Sequence, residues 1–189
     1  MIHSGDYNMN RLTPKRRYYT NTKNFVISVY EAWLEDGYIN MNPDYQRPLV
    51  WDTENKRMFI ENLINDFPVG AIAMAKIDDG SRYEIEIVDG KQRLNAIFSF
   101  MKDEFSIAGN DDSMLYYSDF TPAEKRRFRN LGLPAIMMEE STREDRLEYF
   151  YKTNFFGVPQ SEEHRQHVIA LLQDEQLKNN SKKLLTGDR

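Results

Sequence analysis

Apolar residues recur at intervals of three and four positions in several segments of the chain, and this spacing predicts amphipathic helices. One such helix is expected to begin at Asp52 or Thr53 and to end near Asn65. Its apolar face consists of Phe59, Ile60, Leu63 and Ile64. A second helix is expected after Arg93, with an apolar face that consists of Leu94, Ile97, Phe98 and Met101. Each helix therefore has one face that must be buried against another element.

Capping residues predict where two more helices begin. Ser28 with Glu31 and Thr121 with Glu124 have the spacing of a capping box, in which each side chain accepts a backbone N–H of the other residue. The first helix is expected to end at Gly37, because glycine readily adopts the left-handed conformation that ends many helices.

The C-terminal third of the chain predicts two further helices. One is expected to begin at Ser141 or Thr142, and the last one at Ser161. The polar tail from Lys178 onward is expected to fray.

A few strands are predicted among these helices. Residues 71–77 and 83–88 flank a turn that contains an Asp-Gly pair, which is a strong hairpin signal. Residues 135–138 predict a short strand, whereas Pro43 and Pro48 predict that residues 39–51 are extended or irregular. This mixture predicts an α+β fold.

Composition is consistent with one folded domain and excludes thiol chemistry. Apolar residues make up 40% of the 189 positions, which is enough for a core. The chain has no cysteine, so disulfides and thiolate metal sites are excluded. We find neither a secretory signal nor an apolar run of about 18 residues, and we expect a cytoplasmic protein without membrane contact.

Charge and periodicity divide the chain into three parts. Residues 1–22 are polar and basic and are expected to form a flexible arm. Residues 23–160 are expected to form the folded domain, and residues 161–189 a C-terminal helix with a polar tail. The net charge of −5 argues against a protein that coats nucleic acid. Two basic clusters are candidates for contact with DNA, although such runs are more often solvated surface. They are Lys15, Arg16 and Arg17, and Lys125, Arg126, Arg127 and Arg129.

The candidate chemistry lies at the turn Asp89-Gly90-Lys91-Gln92-Arg93, between a strand and a helix. The first N–H groups of a helix lack partners and carry partial positive charge, so a helix N-terminus is a ready anion site. Gly90 allows close approach of a phosphate, and Lys91 and Arg93 add positive charge. Asp89 suits a metal ligand or a water-activating base, and Gln92 suits a phosphate or water contact. Alternatively, Asp89 caps the helix and the other side chains are exposed surface.

Two other polar segments are candidates for the same site. Tyr45-Gln46-Arg47 precedes Trp51 in a proline-containing segment, and is otherwise read as an edge strand with a surface arginine. Asn154 lies at the end of a predicted helix, ahead of an aromatic pair and the sequence Gly157-Val158-Pro159. The alternative for this segment is a helix stop followed by a buried aromatic pair.

These three segments, in this order, resemble the N-terminal domain of GmrSD-type restriction endonucleases, which has a ParB/sulfiredoxin-like fold and the signature Asp-Gly-Gln-Gln-Arg. The resemblance covers about residues 25–165 and implies a small mixed sheet with surrounding helices. It also implies binding of a nucleoside triphosphate, with hydrolysis coupled to cleavage of foreign DNA in active members. By this resemblance Asp89 is the catalytic or Mg²⁺-holding carboxylate, Gln92 and Arg93 contact phosphate, and further residues complete the pocket. These further residues are Gln46, Arg47 and Asn154.

The chain departs from this pattern in two ways. Lys91 replaces the first glutamine of the signature, so a cation stands where the family has a neutral amide. The His-Asn-His nuclease domain usually appended to this domain is not found in the sequence. The histidine pair His164 and His167 lies one helical turn apart and is a weak candidate for metal binding.

Three functions remain open at this point. The chain acts as a nucleoside triphosphatase or nucleotide sensor in restriction or anti-restriction, without its own nuclease. Alternatively, it is a nucleotide-gated adaptor or decoy for a DNA-cleaving protein, with little hydrolysis, which Lys91 favours. The third candidate is a ParB-type DNA-binding protein that uses the basic clusters.

Overall fold

A computed structural model describes residues 18–110, 113–155 and 161–186 of the chain. The strands are β1 (Tyr19–Val26), β2 (Ile39–Asn40), β3 (Ile72–Lys76), β4 (Ile85–Asp89), β5 (Ile107–Ala108), β6 (Met114–Leu115) and β7 (Gly132–Glu140). The helices are α1 (Ile27–Glu35), α2 (Thr53–Ile64), α3 (Lys91–Met101), α4 (Pro122–Arg129), α5 (Arg143–Phe155) and α6 (Glu162–Thr186).

Five strands form a mixed sheet in the order β1-β7-β3-β4-β2. The pairs β1–β7 and β3–β4 are antiparallel, whereas β3–β7 and β2–β4 are parallel. The strands β5 and β6 form a separate small hairpin. The structure therefore confirms the predicted α+β fold, a small mixed sheet with surrounding helices.

Alternating residues of the central strands enter two different cores. Ile72, Met74 and Ile87 pack into the larger core with side chains of α1 to α4. Ala73 and Val88 point to the other face and pack with residues of α5 and α6. Because a strand alternates its side chains, this pattern shows that helices cover both faces of the sheet.

Local signals placed most of the helices correctly. Asp52 caps α2 by accepting from the backbone N–H of Asn55 at 2.8 Å, and α4 begins with the predicted capping box of Thr121 and Glu124. The capping box predicted at Ser28 is wrong, because α1 begins at Ile27 without a side-chain cap.

Three other expectations differ from the structure. Residues 19–22 of the predicted flexible arm belong to β1, and residues 1–17 lie outside the described residues. The strand predicted at residues 135–138 is the nine-residue β7. The tail expected to fray from Lys178 continues as helix to Thr186.

A buried carboxylate connects the sheet to its surroundings. Glu86 of β4 is 4% exposed, accepts a hydrogen bond from the Tyr45 hydroxyl at 2.6 Å and pairs with the Arg146 guanidinium at 2.8 Å. Burial and the neighbouring Glu86 raise the pKa of Tyr45, so its hydroxyl remains a donor. This cluster connects β4 to the segment before α2 and to α5.

The turn between β4 and α3 requires glycine. Gly90 has φ +101°, and an added Cβ atom would lie 2.5 Å from Cδ1 and 3.3 Å from Cα of the buried Ile72. A side chain at this position would therefore be strained by its backbone and crowded by the core.

In the described part of the chain, no helix has the length and apolar character that crossing a membrane requires.

Removing Arg146 should destabilise the protein strongly. Arg146→Ala leaves the Glu86 charge buried with one partner, and this is expected to cost about 3–5 kcal/mol of unfolding free energy. Arg146→Ala combined with Glu86→Gln removes the unpaired charge and should recover part of that loss. Urea denaturation of both variants measures the difference. Equal midpoints for Arg146→Ala and the wild type would contradict an energetic role for this pair.

The Gly90 turn can be tested against a second left-handed glycine. Gly37 has φ +67° and an added Cβ atom meets nothing within 4 Å, so Gly37→Ala should cost about 1–2 kcal/mol from backbone strain alone. Gly90→Ala should lose a further 1–3 kcal/mol, approximately, because the core is overpacked. Thermal melting of the two variants compares them, and an equal loss would mean that Ile72 moves aside freely.

Candidate functional site

One cavity of about 280 Å³ is lined by all eight residues that the sequence and the family resemblance predicted for the phosphate site. These residues are Gln46, Arg47, Asp89, Gly90, Lys91, Gln92, Arg93 and Asn154. The turn that begins α3 forms one wall, the segment before α2 a second and the end of α5 a third. The fold therefore brings together three segments that are far apart in the sequence.

The N-terminus of α3 faces this cavity without a side-chain cap from the described residues. Asp89 does not cap the helix. Its Oδ1 atom instead accepts the N–H of Gly90 at 2.7 Å, inside the turn. The first-turn N–H groups of α3 thus supply partial positive charge at the cavity wall.

Gln92 holds the segment before α2 in place. Its Nε2 atom donates to the carbonyl oxygen of Pro48 at 3.1 Å, and its Oε1 atom accepts from the backbone N–H groups of Val50 and Trp51 at 3.2 and 3.3 Å. The amide is thus engaged with the backbone of residues 48–51. A contact between Gln92 and a phosphate or a water would compete with these bonds.

Gln46 fastens the same segment to the sheet. Its Nε2 atom donates to the carbonyl oxygens of Ile87 and Val88 at the end of β4. Together, Gln46 and Gln92 fix the backbone on both sides of Arg47, and so fix where the Arg47 side chain enters the cavity.

The two histidines of α6 contact this segment as well. His164 Nε2 lies 3.0 Å from the carbonyl oxygen of Tyr45, and His167 Nε2 lies 3.1 Å from that of Asp44. A ring nitrogen bound to a carbonyl oxygen carries its proton, so these atoms are donors and not metal ligands. Among the described residues, no group of three histidine or acidic side chains would hold a metal ion, and the metal hypothesis for the histidine pair stays a prediction.

The cations of the cavity have only partial protein contacts. Arg93 donates to the carbonyl oxygen of Ala71 at 2.7 Å and lies 3.9 Å from the Asp89 carboxylate. Lys91 Nζ lies 3.4 Å from the carbonyl oxygen of Arg47, and partial burial lowers the pKa of its ammonium. An arginine has five N–H donors and an ammonium three, so both retain donors for a ligand.

The wall formed by α5 is less polar. Asn154 donates to the carbonyl oxygen of Phe150 at 3.0 Å, and its amide therefore closes the last turn of the helix. Phe150 and Thr153 line the cavity beside it. Gly157 and Pro159, which complete this sequence motif, lie outside the described residues.

Sequence reasoning missed part of this wall. Phe150 and Thr153 line the cavity, and Tyr149 lies near enough to Asp89 for the carboxylate to influence it. Burial, and secondarily the Asp89 charge, raise the pKa of Tyr149. The signal was available, since residues 149, 150 and 153 fall within one turn of α5 next to Asn154.

The cavity offers a divalent cation a single carboxylate. The residues that the structure describes contain no group of three histidine or acidic side chains that would hold a metal ion. Mg²⁺ is commonly bound through one or two carboxylates plus substrate phosphates. Asp89 fits such a shared site, because the ion pair found for its Oδ2 atom among the described residues is the 3.9 Å contact with Arg93.

The solved structures that are similar to this chain include two ParB proteins. One is the C-terminally truncated chromosome-partitioning protein ParB from Caulobacter crescentus complexed with CTP-γ-S, with 14% identity, a TM-score of 0.41, and coverage of 74% of this chain and 56% of that chain. The other is a Pnob8-like ParB-N domain, with 11% identity, a TM-score of 0.48, and coverage of 90% and 52%. The chain thus spans about half the length of these proteins. No curated protein matches it.

A sequence model of a protein family also matches most of this chain. Residues 30–187 match the sequence model described as the GmrSD restriction endonuclease, N-terminal domain. The match includes the turn at Gly90, the segment of Gln46 and Arg47, and all of α5. The chain therefore belongs to the family of GmrSD restriction endonuclease N-terminal domains.

Proposed function

We propose that this chain binds a nucleoside triphosphate in the cavity at the N-terminus of α3 and acts as a nucleotide sensor in DNA restriction. The observation that carries this proposal is the concentration of positive charge there. Among the described residues that line the cavity, Arg47, Lys91 and Arg93 are cations and Asp89 is the one carboxylate, which gives this lining a net charge of +2. The whole chain, in contrast, has a net charge of −5.

Anion binding also fits the environment of Lys91. Partial burial disfavours its charged form and lowers its pKa. A phosphate beside the ammonium would favour the charged form again and would offset this penalty. The helix N-terminus adds backbone N–H donors to the same position.

The two positions that carry glutamine in the family signature are Lys91 and Gln92 in this chain, and both favour nucleotide sensing over rapid hydrolysis. Efficient hydrolysis needs a residue that orients the attacking water. Gln92 already makes three bonds to the backbone of residues 48–51, so we assign it a positioning role. Lys91, which replaces the family glutamine, is a cation and accepts no hydrogen bond from a water.

Hydrolysis is the second candidate function, and Asp89 is the residue that would support it. Its carboxylate lies beside the proposed phosphate position and would act as a general base or share Mg²⁺ with the triphosphate. When bound, the metal would screen the negative charge between Asp89 and the phosphates.

The partner that fits the family is DNA or a DNA-cleaving protein. Direct DNA binding through α4 is less favoured, because two of its cations have partners within the chain. Arg129 pairs with Glu31, and Lys125 donates to the Ser118 carbonyl oxygen. We therefore favour a nuclease-bearing partner over sequence-independent DNA binding by this helix.

Triphosphate binding should raise thermal stability, and Arg93 should be required for it. A ligand at 100 times its Kd stabilises by about 2.7 kcal/mol. A melting screen of the four ribonucleoside triphosphates, with and without Mg²⁺, should therefore identify one or more ligands. Arg93→Ala should weaken the best of them by about 1.5–3 kcal/mol, the range for a charged hydrogen bond, or roughly 10- to 150-fold in Kd by calorimetry.

The exposed Arg126 on α4 provides a control of the same residue type. Arg126→Ala should bind triphosphate like the wild type. Absence of stabilisation by every triphosphate at millimolar concentration would refute the proposal, and so would an equal loss in Arg93→Ala and Arg126→Ala.

Substitution of Asp89 should affect turnover, whereas substitution of Gln92 should affect stability and triphosphate binding. Asp89→Asn removes a charge that repels phosphate, so triphosphate affinity should be retained or increased while any turnover is abolished. Gln92→Glu replaces the donor to the Pro48 carbonyl oxygen with a carboxylate, and should cost about 0.5–1.5 kcal/mol of stability because that hydrogen bond is lost. It should also weaken binding. Calorimetry, melting and multiple-turnover phosphate release give the three readouts.

Two results would change these assignments. Measurable turnover that is equal in wild type and Asp89→Asn would exclude Asp89 as the base. Unchanged melting together with a large loss of turnover in Gln92→Glu would show that Gln92 acts in the reaction and not as a clamp.

A further inference from the structure

A second and larger cavity lies at the opposite end of the β3–β4 pair. It measures about 620 Å³ and includes Lys76, Ile77 and Ile85, whereas the nucleotide cavity includes Asp89 at the far end of β4. Ile85 and Asp89 are four positions apart along β4, or about 13 Å at roughly 3.3 Å per residue. This second cavity, which we call the aromatic cleft, is within the size range of small-molecule and peptide sites.

One wall of the aromatic cleft consists of aromatic rings. Phe25 of β1, Trp33 of α1 and Tyr38 line it. The Phe25 and Trp33 rings contact edge to face with centroids 4.9 Å apart, and the Trp33 and Tyr38 rings are nearly parallel with centroids 6.4 Å apart. The exposed faces of such rings carry partial negative charge and attract cations.

The sheet provides an ion cluster as the floor. Glu139 of β7 pairs with Lys23 of β1 at 2.9 Å and with Lys76 of β3 at 2.6 Å. Hydrogen bonds from Lys76 and Lys23 lower the pKa of Glu139 to about 2, so this carboxylate is charged at neutral pH. Both lysines share one carboxylate and together leave the floor with one excess positive charge.

Three carboxylates at the rim make the net charge of the cleft negative. Asp78, Glu84 and Glu140 line the cleft and are exposed, and Glu84 accepts a hydrogen bond from the Tyr38 hydroxyl at 2.6 Å. With the floor at +1 and the rim at −3, the described residues that line the cleft have a net charge of −2. An anion is therefore disfavoured here, in contrast to the nucleotide cavity, and a cation is favoured.

We infer that the aromatic cleft is a docking site for a basic peptide segment of a partner protein, with an arginine or lysine side chain held against Trp33 and Tyr38. Charge complementarity selects this occupant, since the cleft combines a negative rim with ring faces that bind cations. The volume exceeds that of one side chain and accommodates its neighbours in an extended peptide. This inference does not depend on nucleotide binding.

The two tryptophans of the chain make the test selective. Trp33 lies in the aromatic cleft and Trp51 in the nucleotide cavity, so Trp51→Phe leaves Trp33 as the only tryptophan fluorophore. Titration of Trp51→Phe with hexa-arginine should give a saturable fluorescence change. Hexa-glutamate at the same concentrations should give none.

Variants that remove rim carboxylates test whether the fluorescence change reports binding in the cleft. In the Trp51→Phe background, Glu84→Gln combined with Asp78→Asn should raise the Kd of hexa-arginine about tenfold or more. Glu163→Gln removes one exposed carboxylate on α6 and should leave the Kd unchanged. This control is needed because a chain of charge −5 attracts any cationic peptide weakly. Melting curves establish that each variant is folded.

Trp33→Leu in the wild-type background, measured by calorimetry, tests the aromatic wall directly and should weaken hexa-arginine binding by a similar factor. Three outcomes would overturn the inference. They are preferential binding of hexa-glutamate, equal affinity in the rim and Glu163→Gln variants, and unchanged binding in Trp33→Leu.

Discussion

The structure depends on the requirement that a carboxylate buried in the sheet be paired. Glu86 satisfies this requirement with Tyr45 on one side and Arg146 on the other. These two partners belong to the segment before α2 and to α5, which form two walls of the cavity at the N-terminus of α3. A single buried charge thus fixes the distance between two walls that are far apart in the sequence. Leaving that charge with one partner would be strongly unfavourable.

In this cavity, the uncharged amide side chains and the charged side chains have different roles. The amides of Gln46 and Gln92 are used on backbone atoms and shape the cavity. The cations of Arg47, Lys91 and Arg93 retain donors and give the cavity its sign. In the turn Asp89-Gly90-Lys91-Gln92-Arg93, a residue that shapes the cavity therefore lies next to residues that give it positive charge. A match to the sequence motif does not by itself show which residue has which role.

Much of the fold could be predicted because its signals are local. The caps of α2 and α4 and the apolar face of α3 depend on residues within one or two turns, and the structure confirms them. Strand β1 was not predictable in this way. Its first six residues are exposed and mostly polar, so they show no alternation, and the strand forms because β7 pairs with it.

The wrong capping box shows the same limit. Ser28 and Glu31 have the right spacing, but long-range contacts replace them: the Ile27 N–H donates to the Leu131 carbonyl oxygen, and Glu31 pairs with Arg129. At the candidate site, spacing located the turn at Gly90 correctly. It could not show that Gln92 faces residues 48–51, because that contact joins positions more than 40 residues apart.

The contact between α6 and the backbone beside Arg47 has a mechanical consequence. The helix has 25 residues, which corresponds to a rod about 37 Å long at roughly 1.5 Å per residue. His164 and His167 hold it in its first two turns, on carbonyl oxygens next to the cavity. Further along the helix, Glu175 lies 3.8 Å from the Arg143 guanidinium, and Asn179 donates to Glu144 at 3.0 Å. The helix is therefore tied to α5 as well as to the backbone of residues 44–45. One rigid rod thus braces two walls of the cavity, and a displacement of either wall would strain its contacts with α6.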